Sequence, residues 1–113
     1  MKKNKITFWG VRGSFPTPEL DKIGFGGDTS CVSIETQDQI LILDMGTGMK
    51  QLGKDIISNP NSPKTINILL SHYHWDHMLG FLMFAPLFSN QFQINIYGKK
   101  DRIELKEIIN HML

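Results

Sequence analysis

The segment Ile66-Asn67-Ile68-Leu69-Leu70-Ser71 runs without a break into His72-Tyr73-His74-Trp75-Asp76-His77. Its first half is apolar on alternating and adjacent positions alike, which predicts a strand covered on both faces. Its second half places three of the four histidines and one aspartate within six residues, as HxHxDH. Imidazole nitrogen and carboxylate oxygen are the donors that zinc and related divalent ions accept where no thiolate is available. If the strand ends at Ser71, His72 and His74 leave the backbone in the same direction and can converge on one ion. Asp76 and His77 then face a neighbouring position, which suits two ions about 3.5–4 Å apart. Chance clustering of surface or core histidines is the competing account. It is disfavoured because unpaired imidazoles and carboxylates at the mouth of a buried strand are costly unless something binds them. Tyr73 and Trp75 read as packing residues rather than catalytic ones.

A buried strand needs neighbours, and the chain supplies them. Residues 6–9 read as a first strand, and 31–36 and 39–44 as a hairpin whose second strand is again apolar on both faces. Between 10 and 30, Gly and Pro recur with little periodicity, predicting a long loop of the kind that is usually functional or mobile. Thr47 is placed to cap a helix carrying Met49, Leu52 and Ile56 on one stripe and ended by Pro60 and Pro63. The apolar stretch after His77 has no clear period. A strand at 93–97 and a helix from Asp101 follow, the helix with a Leu105, Ile108, Ile109, Met112 stripe and a capping-box pattern in Asp101 and Glu104.

Composition excludes several classes. With 12 basic and 11 acidic side chains spread evenly, the chain has no surface for coating nucleic acid. The one cysteine, Cys31, cannot form an internal disulfide and fits a reducing compartment. The basic start Met1-Lys2-Lys3 is followed by no export signal, and the longest apolar run, 78–88, falls short of the ~18 residues of a membrane span. The expected setting is cytoplasmic, with no membrane contact.

Four segments, in order, resemble one family. Phe8-Trp9-Gly10-Val11-Arg12-Gly13-Ser14, Gly26-Gly27-Asp28-Thr29-Ser30-Cys31, Leu43-Asp44-Met45-Gly46-Thr47-Gly48 and the run from Ser71 to His77, with Gly80-Phe81 and 85–88 after it, resemble metallo-β-lactamase-fold hydrolases. The likeness is to their phosphodiesterase and ribonuclease Z-like branch. It implies an α/β (α+β) fold: the N-terminal half of an αββα sandwich, one mixed sheet with helices on one face, in a single partial domain spanning 1–113. It also implies His72 and His74 as ligands of a first zinc, Asp76 and His77 as belonging to a second, a catalytic role for Asp76, and Asp44 supporting the site from its strand end. On residue chemistry alone Asp44 is equally a capping or turn residue before Gly46.

The resemblance further implies that later ligands, a third histidine, a bridging aspartate and another histidine, lie beyond residue 113. His111 is not expected to replace them, because it sits off the apolar stripe beside Glu104 and Glu107. Asp28 stands where the family often has asparagine. Arg12 reads as a solvated or structural arginine, with contact to an anionic substrate as the alternative. The expected activity of the complete protein is phosphodiester hydrolysis by metal-activated water, on a small-molecule or nucleotide substrate. The rivals are a truncated, non-catalytic fragment and one half of a split protein, each binding metal weakly. A half sandwich would also self-associate or need its missing half, since contiguous apolar patches beyond a few hundred Å² are unusual on monomers.

Overall fold

The computed structural model describes residues 4–22, 24–99 and 105–112. Five strands form one sheet in sequence order: β1 (Lys5–Gly10), β2 (Cys31–Glu35), β3 (Gln39–Leu43), β4 (Thr65–Leu69) and β5 (Gln93–Tyr97). The pairs β1/β2 and β2/β3 are antiparallel, whereas β3/β4 and β4/β5 are parallel. A parallel neighbour demands a crossover. Helix α1 (Met49–Ser58) supplies the first, and turns of 3-10 helix at Trp75–His77, Leu79–Met83 and Ala85–Phe88 supply the second. A second helix, α2 (Leu105–Met112), follows β5.

The helical layer covers one face. Ile40, Ile42, Ile66 and Ile68 project from the central strands into it and are buried with Met49, Leu52 and Ile56 of α1. Met78, Phe81 and Phe84, from the stretch with no clear period, complete this core, and the α2 stripe packs against it. The opposite face is open: Ile6, Phe8, Leu69 and Tyr97 are exposed there. A mixed sheet with helices on one side is consistent with half of a metallo-β-lactamase sandwich.

Three expectations need correction. The strands at 39–44 and 66–71 end earlier, at Leu43 and Leu69. Thr47 does not cap α1, whose N-cap is Gly48 without a side-chain bond. Thr47 instead pairs reciprocally with Thr29: the Thr29 N–H donates to Thr47 Oγ1 at 2.9 Å and the Thr47 N–H to Thr29 Oγ1 at 2.8 Å. The Thr47 hydroxyl donates to Asp28 Oδ1 at 3.0 Å, so the Asp28 departure serves this turn as an acceptor. The capping-box pair Asp101 and Glu104 lies outside the described residues.

Candidate metal centre

The carboxyl ends of parallel strands are where open α/β sheets place their ligands, and the candidate residues gather there. The ladder runs one residue past each strand: the Asp44 N–H donates to Leu69 O and the Leu70 N–H to Tyr97 O, both at 2.9 Å. Asp44 then leaves the sheet with φ 66°, in the left-handed region that Asp and Asn tolerate better than most residues. That turn directs its carboxylate across to β4. Oδ1 accepts from the Ser71 N–H at 2.7 Å, and Oδ2 from the Ser71 hydroxyl at 2.8 Å. Met45 accepts from the Gly80 N–H and donates to His77 O, each at 2.8 Å, clamping the histidine loop against the β3 exit.

Within this frame His72, Asp76 and His77 each offer a donor atom, and the three lie within 4.8 Å of one another. His77 Nδ1 stands 3.0 Å from Asp44 Oδ2, and its Nε2 is 3.4 Å from Asp76 Oδ2. His77 Nδ1 is buried, and its approach to Asp44 lacks the alignment of a ring N–H hydrogen bond. His72 Nδ1 meets Ser71 Oγ at 2.9 Å, leaving its Nε2 available. A ligating histidine typically has a carboxylate, carbonyl or water on its other ring nitrogen. His77 has such a carboxylate, and the mixed nitrogen and oxygen set suits zinc.

His74 lies at the margin. Its ring meets that of His72 edge-on at 4.5 Å, but it is outside the three-donor group. His72 is instead nearer His77, with ring centroids 4.1 Å apart. Because β4 ends at Leu69, strand alternation does not extend to 72–74, and the following 3-10 turn folds Asp76 and His77 back onto His72.

Two contributors have no sequence signal of their own. Ser71 bridges Asp44 and His72. Ser14, in the glycine-rich loop with φ 71°, donates its backbone N–H to Asp76 Oδ2 at 3.1 Å. Desolvation works against the Asp76 carboxylate, but the Ser14 N–H and the charges of His77 and His72 outweigh it and hold its pKa below the ordinary value. A Gly or Ser in a loop is common, and the backbone donor it presents is carried by no side chain.

The chain is 32% identical to ribonuclease Z of Thermoplasma acidophilum, 34% to that of Thermoplasma volcanium and 32% to that of Picrophilus torridus. The matches cover 89%, 88% and 94% of this chain. The chain is homologous to ribonuclease Z, of the metallo-β-lactamase family. It spans about a third of the length of these ribonuclease Z relatives, 31–33% of each. No protein-family profile and no solved structure matches it.

Arg12 is half-buried and pairs through its backbone, its N–H donating to Asp28 O at 3.0 Å. His111 is exposed on α2 and is not in the donor group. Tyr73 is half-buried, its hydroxyl donating to the Lys99 carbonyl. Trp75 does not pack as expected: it is 70% exposed, because the loop that turns His72 and Asp76 together turns Trp75 outward. No helix among the described residues is long and apolar enough to cross a membrane.

Proposed function

We propose that this chain carries part of a zinc-dependent phosphodiesterase acting on RNA, with His72, His74, Asp76 and His77 holding up to two zinc ions. The observation that carries this reading is the three-donor group with the Asp44 carboxylate behind His77. Zinc, when bound, acidifies a ligated water and neutralises charge on phosphoryl oxygens. The chain's own residues do the positioning. Asp44 orients His77, Ser71 couples Asp44 to His72, and the Ser14 N–H keeps the Asp76 carboxylate ionised and fixed, ready to hold metal or accept a proton. RNA is the assigned substrate class because the relatives are ribonucleases by name. With balanced charge, phosphate recognition falls to this centre rather than to a basic surface. Cys31 as a lone buried thiol suits a cytoplasmic setting. The open sheet face calls for a second layer, supplied by further chain or another copy.

Calorimetry tests the donor assignment. Zinc affinity should fall at least ten-fold in His72→Ala/His77→Ala and stay unchanged in His111→Ala; undiminished binding in the double variant sinks the assignment. A second reading, metal retention without turnover, is favoured for the chain alone by the donor count, since three donors serve one ion rather than a pair. Hydrolysis of bis(p-nitrophenyl) phosphate should accordingly be negligible. Zinc-dependent turnover that disappears in Asp76→Ala would show instead that these residues suffice.

A further inference from the structure

The six residues that carry the metal donors also carry Tyr73 and Trp75, which the proposed chemistry leaves unused. Both line a cavity of about 550 Å³ between the histidine loop and α2. That volume falls within the roughly 300–1,000 Å³ of small-molecule sites. Its floor is apolar, with Met78 buried and Ile108 half-buried, while Glu107 and His111 stand on its α2 side. His111 Nδ1 lies 2.8 Å from the Glu107 backbone carbonyl. A carbonyl only accepts, so Nδ1 carries a proton, and in the neutral tautomer this leaves Nε2 as an acceptor. The Glu107 carboxylate is an acceptor too. Trp75, 70% exposed, is thus a large aromatic face left in water beside a cavity whose polar groups accept hydrogen bonds.

We infer that this cavity is a nucleobase subsite, in which a base with an exocyclic amino group stacks on Trp75 and Tyr73 and donates to Glu107 or His111. A base has a flat π-face for the aromatic pair and an amino edge for the acceptors, and exposed aromatics are the usual platform for unpaired bases. The same loop that holds the base would hold the donors of the metal centre, so a nucleotide could reach both at once. The inference rests on the phosphodiesterase reading for its biological sense, but not for its test.

Ligand-observed NMR titrations of the 113-residue chain, in EDTA and with adenosine, uridine and ribose as probes, read the cavity without metal. Adenosine should bind at least ten-fold tighter than ribose and about three-fold tighter than uridine. Trp75→Ala should weaken adenosine at least ten-fold, Trp75→Phe should retain most of the binding, and Glu107→Ala should weaken it several-fold. Adenosine binding no better than ribose, or unchanged in Trp75→Ala with an unaltered melt, overturns the inference, whether the groove is then empty or filled by another protein segment. Zinc calorimetry is the separate measurement for the metal reading, so either can fail while the other stands.

Discussion

Substitution of Asp44 separates three effects that meet on one side chain. Its carboxylate accepts from the Ser71 N–H at 2.7 Å and the Ser71 hydroxyl at 2.8 Å, stands 3.0 Å from His77 Nδ1, and belongs to a residue with φ 66°. Asp44→Asn keeps an acceptor oxygen and a residue type that tolerates the left-handed region, and removes the charge. Charged hydrogen bonds contribute about 1.5–3 kcal/mol and neutral ones about 0.5–1.5, so losing the charge from the Ser71 bonds should destabilise by about 2 kcal/mol. Asp44→Gly also strands the Ser71 N–H, for about 1–3 kcal/mol more. Asp44→Ala strands the same group and puts a Cβ in the left-handed region at about 1–2 kcal/mol, offset in part by about 0.4–1 kcal/mol from glycine's freer unfolded chain. The expected order is Asp, Asn, Gly, Ala, with alanine up to about 1.6 kcal/mol below glycine. Urea denaturation of the metal-free chain, with slopes compared to confirm like transitions, measures it. In parallel, zinc affinity should drop roughly 10–100-fold in Asp44→Asn, since the carboxylate behind His77 is lost. An alanine variant more stable than glycine would refute the left-handed turn, and an asparagine variant equal to wild type in both stability and zinc affinity would refute the role of the charge.

Burial, with the Asp44 charge, pushes the Cys31 thiol up to about 12. The folded pKa lies above the unfolded value near 8.5, so the neutral thiol stabilises fully below about pH 8.5 and the contribution is lost as pH rises toward the folded pKa. The unfolding free energy from urea denaturation of wild type relative to Cys31→Ala should fall across that window, by at most about 1.4 kcal/mol per pH unit, and a flat difference would contradict this. Gly80→Ala would drive its Cβ into the Gly46 carbonyl oxygen and to 2.9 Å from Met49 Cβ, so a melt should show about 3 kcal/mol of destabilisation, with an unchanged midpoint the contrary result. Ser14→Pro removes the N–H that Asp76 accepts and cannot adopt φ 71°, whereas Ser14→Gly keeps both. Zinc affinity should therefore fall in the proline variant alone, and equal losses in both would mean that the hydroxyl, not the backbone, matters.

Local pattern reached the strands and the donor segment but not the contacts that join them. Runs such as Ile40-Leu41-Ile42 and Leu69-Leu70 announce strands because adjacent positions are apolar, and for the same reason they hide which set meets the helices. Parallel pairing of Ile40 with Ile66 and Ile42 with Ile68, under α1, decides it. Ser71 reads as strand because it follows apolar residues, yet its N–H goes to Asp44, 27 positions away. Thr47 has the composition of a cap, and its partner is Thr29, 18 positions away. The stretch from Met78 to Phe88 has no helical or strand period because it folds as successive 3-10 turns around Phe81 and Phe84. Residue chemistry reads Asp44 equally as a turn residue and as a support for the site; φ 66° makes it a turn residue, and its carboxylate lies 3.0 Å from His77 Nδ1.

The register also fixes what the open face presents, and with it a final prediction. Phe8, Val32, Leu43, Leu69 and Tyr97 align across all five strands as one apolar row, and Ile6, Ile34 and Leu41 begin a second. That second row ends in Asn67 and Asn95, whose amides are tied in a ladder: Asn67 donates to Gln39 Oε1 at 2.6 Å and Asn95 to Asn67 Oδ1 at 3.0 Å. Each of these amides thus makes at least one hydrogen bond within the sheet. A face of this kind can be covered by apolar groups along its first row without stranding a polar one. Phe8 at 70% and Tyr97 at 54% exposure stand at the two ends of that row, so the apolar patch is contiguous rather than scattered. Light scattering on the chain at tens of micromolar should therefore show self-association with hydrophobic-dye binding, and Phe8→Lys/Leu69→Lys should reduce both without lowering the melt much, since neither side chain belongs to the buried core. A wild-type chain that stays a monodisperse monomer, melts cooperatively and binds no dye would show that this row needs no second layer.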